Sequence, residues 1–215
     1  IDMVSYGKSL GLTVSLASGE MSFDNYKSLK DAGLDEYVLK FETSNKKLFE
    51  HIKPSTTYEK RMKAIENIKK AELKLGSGNI IDFPNQTIED IADDILLMNE
   101  LEISWAPVIP YMPVIGTPMA EEGKRGSTEI TLREISILRL MMPKVDITAQ
   151  QPGKDLKNGL SDVQGNLDAL DSGANVLFVE MLPPELAKNF NVIDNRMIKG
   201  IESIKNVAKL SGMKY

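Results

Sequence analysis

Lys40 and Glu42 stand two apart in the sequence, so in an extended segment their side chains leave the same face. A lysine beside a glutamate at a strand end admits three roles. It can form a structural ion pair, act as an amine that makes a Schiff base with a carbonyl substrate, or clamp a ligand. Arg61 follows one turn into a later helical stretch. Its planar fork matches a carboxylate bidentately, as an amino-acid ligand would present; the ordinary alternative is a surface arginine paired with Glu59 or Glu66. Gly76 and Gly78 lie in an otherwise apolar run. Glycine there marks either a ligand's close approach or tight packing against a neighbouring strand. His51 is the only histidine; at the end of a helical turn it reads as a dipole partner or a surface residue. Met141 and Met142 read as core filler.

Composition closes off several chemistries. The 215 residues contain no cysteine, so the chain makes no disulfide and offers no thiolate for zinc, for nucleophilic attack or for an iron–sulfur cluster. One histidine excludes a multi-histidine metal site. The formal net charge is -5, and the basic residues alternate with acids, as in Glu59-Lys60-Arg61. Binding to nucleic-acid phosphates requires clustered cations instead, so a nucleic-acid partner is not expected. No apolar run approaches the ~20 residues of a membrane-spanning helix. A cytoplasmic protein with a small-molecule substrate is the expectation.

These candidates need a scaffold, and the chain shows one in its repeat of short apolar runs and longer helical segments. The runs are Leu12–Ala17, Glu36–Phe41, Leu73–Ile81, Trp105–Ile109, Val145–Ala149 and Asn175–Glu180. Helices are predicted over Ser22–Ala32, capped by Ser22 and stopped by Gly33, and around Lys46–His51 and Thr57–Ala71, with Pro54 between them. Further helices are predicted from Thr87 to about Leu101, over Thr131–Met142, Asp162–Ser172 and Asn195–Ser211, and a helix tail over Asp2–Leu10. Strands alternating with helices make a parallel sheet with right-handed crossovers.

No Gly-x-Gly-x-x-Gly turn is present, and glycine, proline and polar residues concentrate after the strands. Both features favour a barrel over an open dinucleotide-binding sheet. A closed barrel takes roughly 250 residues and eight strands; the six runs make a partial TIM-type (βα)8 barrel. It is expected to be a single domain over residues 1–215, equivalent to strands three to eight, with two units in front of Ile1 in the parent. In a parallel barrel the C-terminal strand ends form the mouth where ligands bind, and Lys40 and Glu42 stand at such an end. An open barrel also exposes two edge strands, so self-association through them is expected.

Several motifs, in order, resemble one branch of the radical S-adenosylmethionine (SAM) superfamily, the branch that holds biotin synthase, methylornithine synthase and the iron-only hydrogenase maturase. They are Tyr37-Val-Leu-Lys-Phe-Glu-Thr43, Leu48-Phe-Glu-His-Ile-Lys-Pro54 with Thr57-Tyr-Glu-Lys-Arg61, Gly76-Ser-Gly-Asn-Ile-Ile-Asp-Phe-Pro-Asn-Gln-Thr87, and Pro110-Tyr-Met-Pro-Val-Ile-Gly-Thr-Pro-Met119. Ile137-Leu-Arg-Leu-Met-Met-Pro143, Ser172-Gly-Ala-Asn175 and Leu182-Pro-Pro184 are most similar to methylornithine synthase. Residues 120–215 resemble the C-terminal part of biotin synthase-like enzymes.

The resemblance implies roles. Glu42 would hydrogen-bond the SAM ribose, and Arg61 would pair with the methionyl carboxylate. Gly78 and Ile80 would lie against adenine, with Tyr111 and Met112 completing that pocket. Lys40 would supply a charge on the substrate side or the SAM side. The family's three-cysteine motif for a 4Fe–4S cluster is missing from this chain, so the cluster belongs to the full-length parent and this chain alone is expected to be inactive. The parent would cleave SAM to a 5′-deoxyadenosyl radical that acts on a small, amino-acid-like substrate. Asp82 and Asn85 stand where relatives often carry glycine. Gln150 and Gln151 replace residues that read the substrate in methylornithine synthase. Two alternatives stand beside this one: a cluster-free protein that binds SAM or a small molecule, and a Schiff-base lyase using Lys40.

Overall fold

The computed structural model describes residues 1–154, 158–179, 181–187 and 200–213. In chain order the first elements are α1 (Asp2–Ser9), β1 (Ser15–Leu16), α2 (Phe23–Asp31), β2 (Glu36–Val38), α3 (Lys46–Ile52), α4 (Tyr58–Lys70), β3 (Lys74–Gly76), β4 (Ile80–Ile81) and α5 (Ile88–Glu100). There follow β5 (Trp105–Ala106), β6 (Ile109–Pro110), α6 (Pro118–Glu122), α7 (Thr128–Met141), β7 (Asp146–Ile147), α8 (Val163–Asp171), α9 (Pro184–Ala187) and α10 (Ile201–Leu210). They gather into two compact units, one of Ile1–Asn79 with Ile88–Pro107, the other of Ile80–Thr87 with Val108–Tyr215. Among the described residues no helix is long and apolar enough to cross a membrane.

In the first unit β1, β2, β3 and β5 are neighbours in that order and run parallel, with Ser15 opposite Glu36, Tyr37 opposite Leu75 and Gly76 opposite Trp105. Helices lie between successive strands in the chain because a parallel pair cannot be joined by a tight turn. Local chemistry sets their ends. The Ser22 hydroxyl accepts from Asn25 N at 3.3 Å to start α2, and Gly33 takes φ +100° just past its end. Asn45 caps α3 by accepting from Lys47 N and Leu48 N, and Thr57 caps α4 by accepting from Lys60 N. These caps satisfy amides that the first helical turn leaves without partners. Tyr26, Tyr37, Phe41, Phe49, Ile65, Ile68 and Met98 are fully buried.

The strands are shorter than the apolar runs. Leu73–Ile81 divides into β3 and β4, and Trp105–Ile109 divides into β5 and β6 around Pro107, which has no N–H for a ladder. The tight fit around the glycines is visible here. A Cβ on Gly76 would lie 2.9 Å from the Trp105 ring and 3.1 Å from Val38, and one on Gly78 would lie 3.1 Å from the Pro107 carbonyl oxygen.

In the second unit β4 pairs in parallel with β6, Ile80 opposite Ile109 and Ile81 opposite Pro110. The run Asn175–Glu180 makes a single parallel bridge, Thr148 to Val176, among the described residues; residue 180 lies outside them. The last helix is described from Ile201, and residues 195–199 of its predicted span lie outside the described residues. α7 starts three residues before the predicted Thr131, because the Ser127 hydroxyl accepts from Ile130 N at 3.2 Å. Its inward face is Thr131, Glu134, Ile135 and Leu138. Met141 and Met142 are not core filler: α7 ends at Met141, past that packed stretch, leaving Met141 exposed and Met142 half-buried. Asp82 and Asn85 have φ of +58° and +67°, the left-handed region that favours glycine.

Candidate functional site

Beyond Val38 the chain continues alongside β3 by hydrogen bonds. Leu39 N donates to Gly76 O at 2.9 Å and Glu42 N to Gly78 O at 3.1 Å. The Ser77 hydroxyl donates to Leu39 O at 2.8 Å and accepts from Phe41 N at 3.3 Å. Leu39 and Phe41 therefore fill the core, and alternation turns Lys40 and Glu42 to the opposite side. Glu42 itself sits at φ +67°. A left-handed backbone costs a non-glycine residue roughly 1–2 kcal/mol and persists only where the surroundings hold it.

The Glu42 side chain is nearly buried and lies between two lysines. Lys40 Nζ is 3.4 Å from Oε2 and Lys53 Nζ is 3.0 Å from Oε1. Burial pushes the Glu42 carboxyl up, but Lys40, Lys53 and Arg61 together outweigh it and hold the group below the usual carboxylate range. The result is an ionised two-oxygen acceptor at a strand end. Of the three roles open to Lys40 and Glu42, the ion pair is present in the structure.

Arg61 is not the surface arginine that its position in the sequence favours. It is buried; Glu59 pairs with Lys46 and Glu66 with Lys63 instead. Arg61 Nε donates to Glu20 Oε1 at 2.7 Å, Nη1 donates to the Lys40 carbonyl, and the guanidinium lies 5.2 Å from the Phe49 ring centroid. Helix α4 can bury this face because Ala64, Ile65 and Ile68 share it. Glu20 also accepts from the Thr56 hydroxyl at 2.8 Å. Its loop is anchored at Gly19, whose carbonyl accepts from Tyr37 Oη at 2.7 Å. Burial pushes that phenol up to about 12.

Lys40, Glu42 and Arg61 thus come together, with the Gly78 carbonyl on the Glu42 amide. Ile80, Tyr111 and Met112 belong to the second unit. There Ile80 lies half-buried in β4, and Tyr111 and Met112 are buried just after β6, with Tyr111 N donating to Ile81 O at 2.8 Å. The Tyr111 hydroxyl is buried without a hydrogen-bond partner among the described residues, and burial raises its pKa. Sequence reasoning missed Glu20 and Lys53. Both act from loops whose partners lie 41 and 11 residues away (61 less 20, 53 less 42), and neither spacing carries a periodic signal.

Chemically, the first-unit cluster offers a dicoordinating anion for a vicinal diol and a guanidinium for a carboxylate. An arginine has five N–H donors; Glu20 and the Lys40 carbonyl engage two of them. Among the described residues no group of three histidine, cysteine, aspartate or glutamate side chains is arranged to hold a metal ion.

The chain matches the family model of the radical SAM superfamily over residues 5–98. It is 31% identical over 182 residues to the FeFe hydrogenase maturase subunit HydE of Thermotoga maritima, covering 85% of this chain and 51% of that protein. It is 32% identical over 183 residues to biotin synthase of Acinetobacter calcoaceticus, covering 83% of this chain and 52% of that protein. The chain therefore spans about half the length of the curated relatives it matches. Among solved structures, methylornithine synthase superposes with a TM-score of 0.76 at 24% identity, over 99% of this chain and 62% of that one. That likeness shows the fold, an α/β partial TIM-type (βα)8 barrel, as the alternation of strands and helices implies.

Proposed function

The chain belongs to the radical SAM superfamily, and on that premise we propose that it forms the SAM-holding part of an enzyme that cleaves SAM reductively and acts on a small, amino-acid-like substrate. The observation that carries the reading is the buried Glu42 carboxylate, held ionised between Lys40 and Lys53 beside the immobilised Arg61. Bound there, SAM would supply the family's radical chemistry, which begins with one-electron reduction of its sulfonium.

This chain's residues bind and orient. Glu42 accepts from the two ribose hydroxyls, which fixes the sugar against the strand ends. Arg61 holds the methionyl carboxylate, and its bonds to Glu20 and to the Lys40 carbonyl keep the fork from following the ligand out.

The residues present suit SAM, since a diol and a carboxylate each meet a complementary group. They do not suit a 4Fe–4S cluster, because the 215 residues contain no thiolate. The cluster would be held by residues outside this chain.

An amino-acid-like substrate is supported by the likeness to methylornithine synthase over 99% of the chain. It is supported again by two buried amides at the end of β7. The Gln150 and Gln151 amide nitrogens donate to Phe178 O at 2.8 Å and Val108 O at 2.9 Å, which turns both oxygens away without partners among the described residues. Buried acceptors of that kind suit a ligand bearing N–H donors.

The test is anaerobic assay of the full-length gene product that carries these residues, supplied with iron, sulfide, dithionite and SAM. 5′-Deoxyadenosine and methionine should form in equal amounts, and Glu42→Gln should suppress both. SAM binding without either product would overturn the enzyme reading in favour of a binding protein.

A further inference from the structure

Helix α5 turns Ile91, Asp94, Ile95 and Met98 inward. Three of these are apolar, so Asp94 is a carboxylate set in a hydrophobic stripe, and it is fully buried. Its Oδ1 accepts from Ser44 N at 2.5 Å, from the Ser44 hydroxyl at 2.7 Å and from the Thr43 hydroxyl at 3.3 Å; its Oδ2 accepts from Asn79 Nδ2 at 3.2 Å.

The donors are not scattered. Thr43 and Ser44 directly follow Glu42, and Asn79 is the residue bridged to Glu42 across the sheet. One turn earlier on α5, Asp90 Oδ1 accepts from Asn45 Nδ2 at 2.8 Å, so the helix grips three successive residues of the segment that leaves Glu42. Only an acceptor with two oxygens can take four such donors at once. The residue between these anchors is the one with φ +67°, a backbone that relaxes unless its neighbours hold it.

We infer that Asp94 is a positioning residue for Glu42, fixing the Thr43–Ser44 turn and Asn79 so that the Glu42 carboxylate meets the ligand's diol. The inference rests on the assignment of Glu42 to the SAM ribose and adds a residue that touches no ligand. Asp94 acts by holding the segment that follows Glu42 and the Asn79 side chain on the neighbouring strand, and the lysines set the charge that the turn aims.

The test is a double-mutant cycle in the full-length protein, read as the SAM dissociation constant by calorimetry, with thermal unfolding alongside. Asp94→Ala should weaken SAM about tenfold in the parent background and less than about twofold in a Glu42→Gln background, because two residues acting through one contact are not additive. Asp94→Asn keeps an amide oxygen for Ser44 and Thr43, and Asn79 can rotate its own amide to meet the new nitrogen, so this variant should stay within about threefold of the parent. Equal weakening by Asp94→Ala in both backgrounds would overturn the inference, since a merely structural loss would add to that of Glu42→Gln. No effect of Glu42→Gln alone would instead sink the ribose assignment. If Asp94→Ala unfolds the protein, Thr43→Val with Ser44→Ala removes two of the four donors to Asp94 and enters the same cycle, with the same outcomes for and against.

Discussion

Replacing Asp94 by asparagine should change how the stability of the first unit responds to pH. Burial is the largest influence on the Asp94 carboxyl and raises it from 3.8 to about 6, against the four donors that lower it. The folded state therefore holds its proton more tightly than the unfolded chain does. Stability contributed by this group is fully present below the unfolded value and is lost as pH rises through about 6. A shift of about two units is worth ~3 kcal/mol, and roughly 2–2.5 kcal/mol of that falls between pH 4 and pH 7. The group is fully buried, so solvent screening takes little from this figure. Asparagine cannot titrate. Urea unfolding of parent and Asp94→Asn across that range isolates the carboxyl, because every other group is common to both. The single tryptophan, Trp105, lies in β5 of the first unit and reports its unfolding. The parent should lose about 2 kcal/mol relative to the variant on going from pH 4 to pH 7. Parallel curves would refute the reasoning, and so would a parent that gains on the variant as pH rises, since the donors would then outweigh burial.

Other consequences are smaller. Gly76→Ala should destabilise the first unit by about 1–3 kcal/mol in urea, because the added methyl meets the Trp105 ring at 2.9 Å. Glu72 and Glu102 follow the ends of α4 and α5 with φ of +58° and +52°; glycine at either should raise stability by about 0.5–1 kcal/mol, measured by the same melts. Lys53→Met should raise the Glu42 carboxyl towards its ordinary range, followed by carboxyl carbon NMR. Because that carboxyl is depressed in the folded state, its stabilising contribution is lost as pH falls through the folded value, and the variant should lose it at higher pH than the parent does. An unmoved titration would mean that Lys53 does not neutralise Glu42.

The order of the strand–helix units was legible because caps and stops are local. Ser22, Thr57 and Asp162 each accept from the amide three residues on, and Gly33 and Gly212 take the left-handed turns that end α2 and α10. The lengths of the strands were not, because pairing is a contest between partners distant in the chain. Ser77 spends its hydroxyl on Leu39 and Phe41, and Pro107 breaks a run that hydropathy joins. α6 was hidden in a proline-rich segment although Thr117-Pro118 is an ordinary helix start.

At the candidate site, strand parity found Lys40 and Glu42. Arg61 looked like a surface residue because the acid that pairs with it, Glu20, comes from a different loop. Asp94 did leave a signal, a charged residue at a buried position of the Ile91, Ile95, Met98 stripe. Its partners could be named only once β2 and β3 were side by side.

The central claim is that the Glu42 carboxylate holds the ribose of SAM. It is tested most directly by titrating SAM and a 2′,3′-dideoxyribose analogue into the full-length protein and into its Glu42→Gln variant. A hydrogen bond to a charged group is worth about 1.5–3 kcal/mol, so the parent should bind SAM roughly 10–100-fold more tightly than the variant, and removal of the hydroxyls should erase most of that difference. A parent and a variant that bind SAM equally, or that discriminate the analogue equally, would contradict the account.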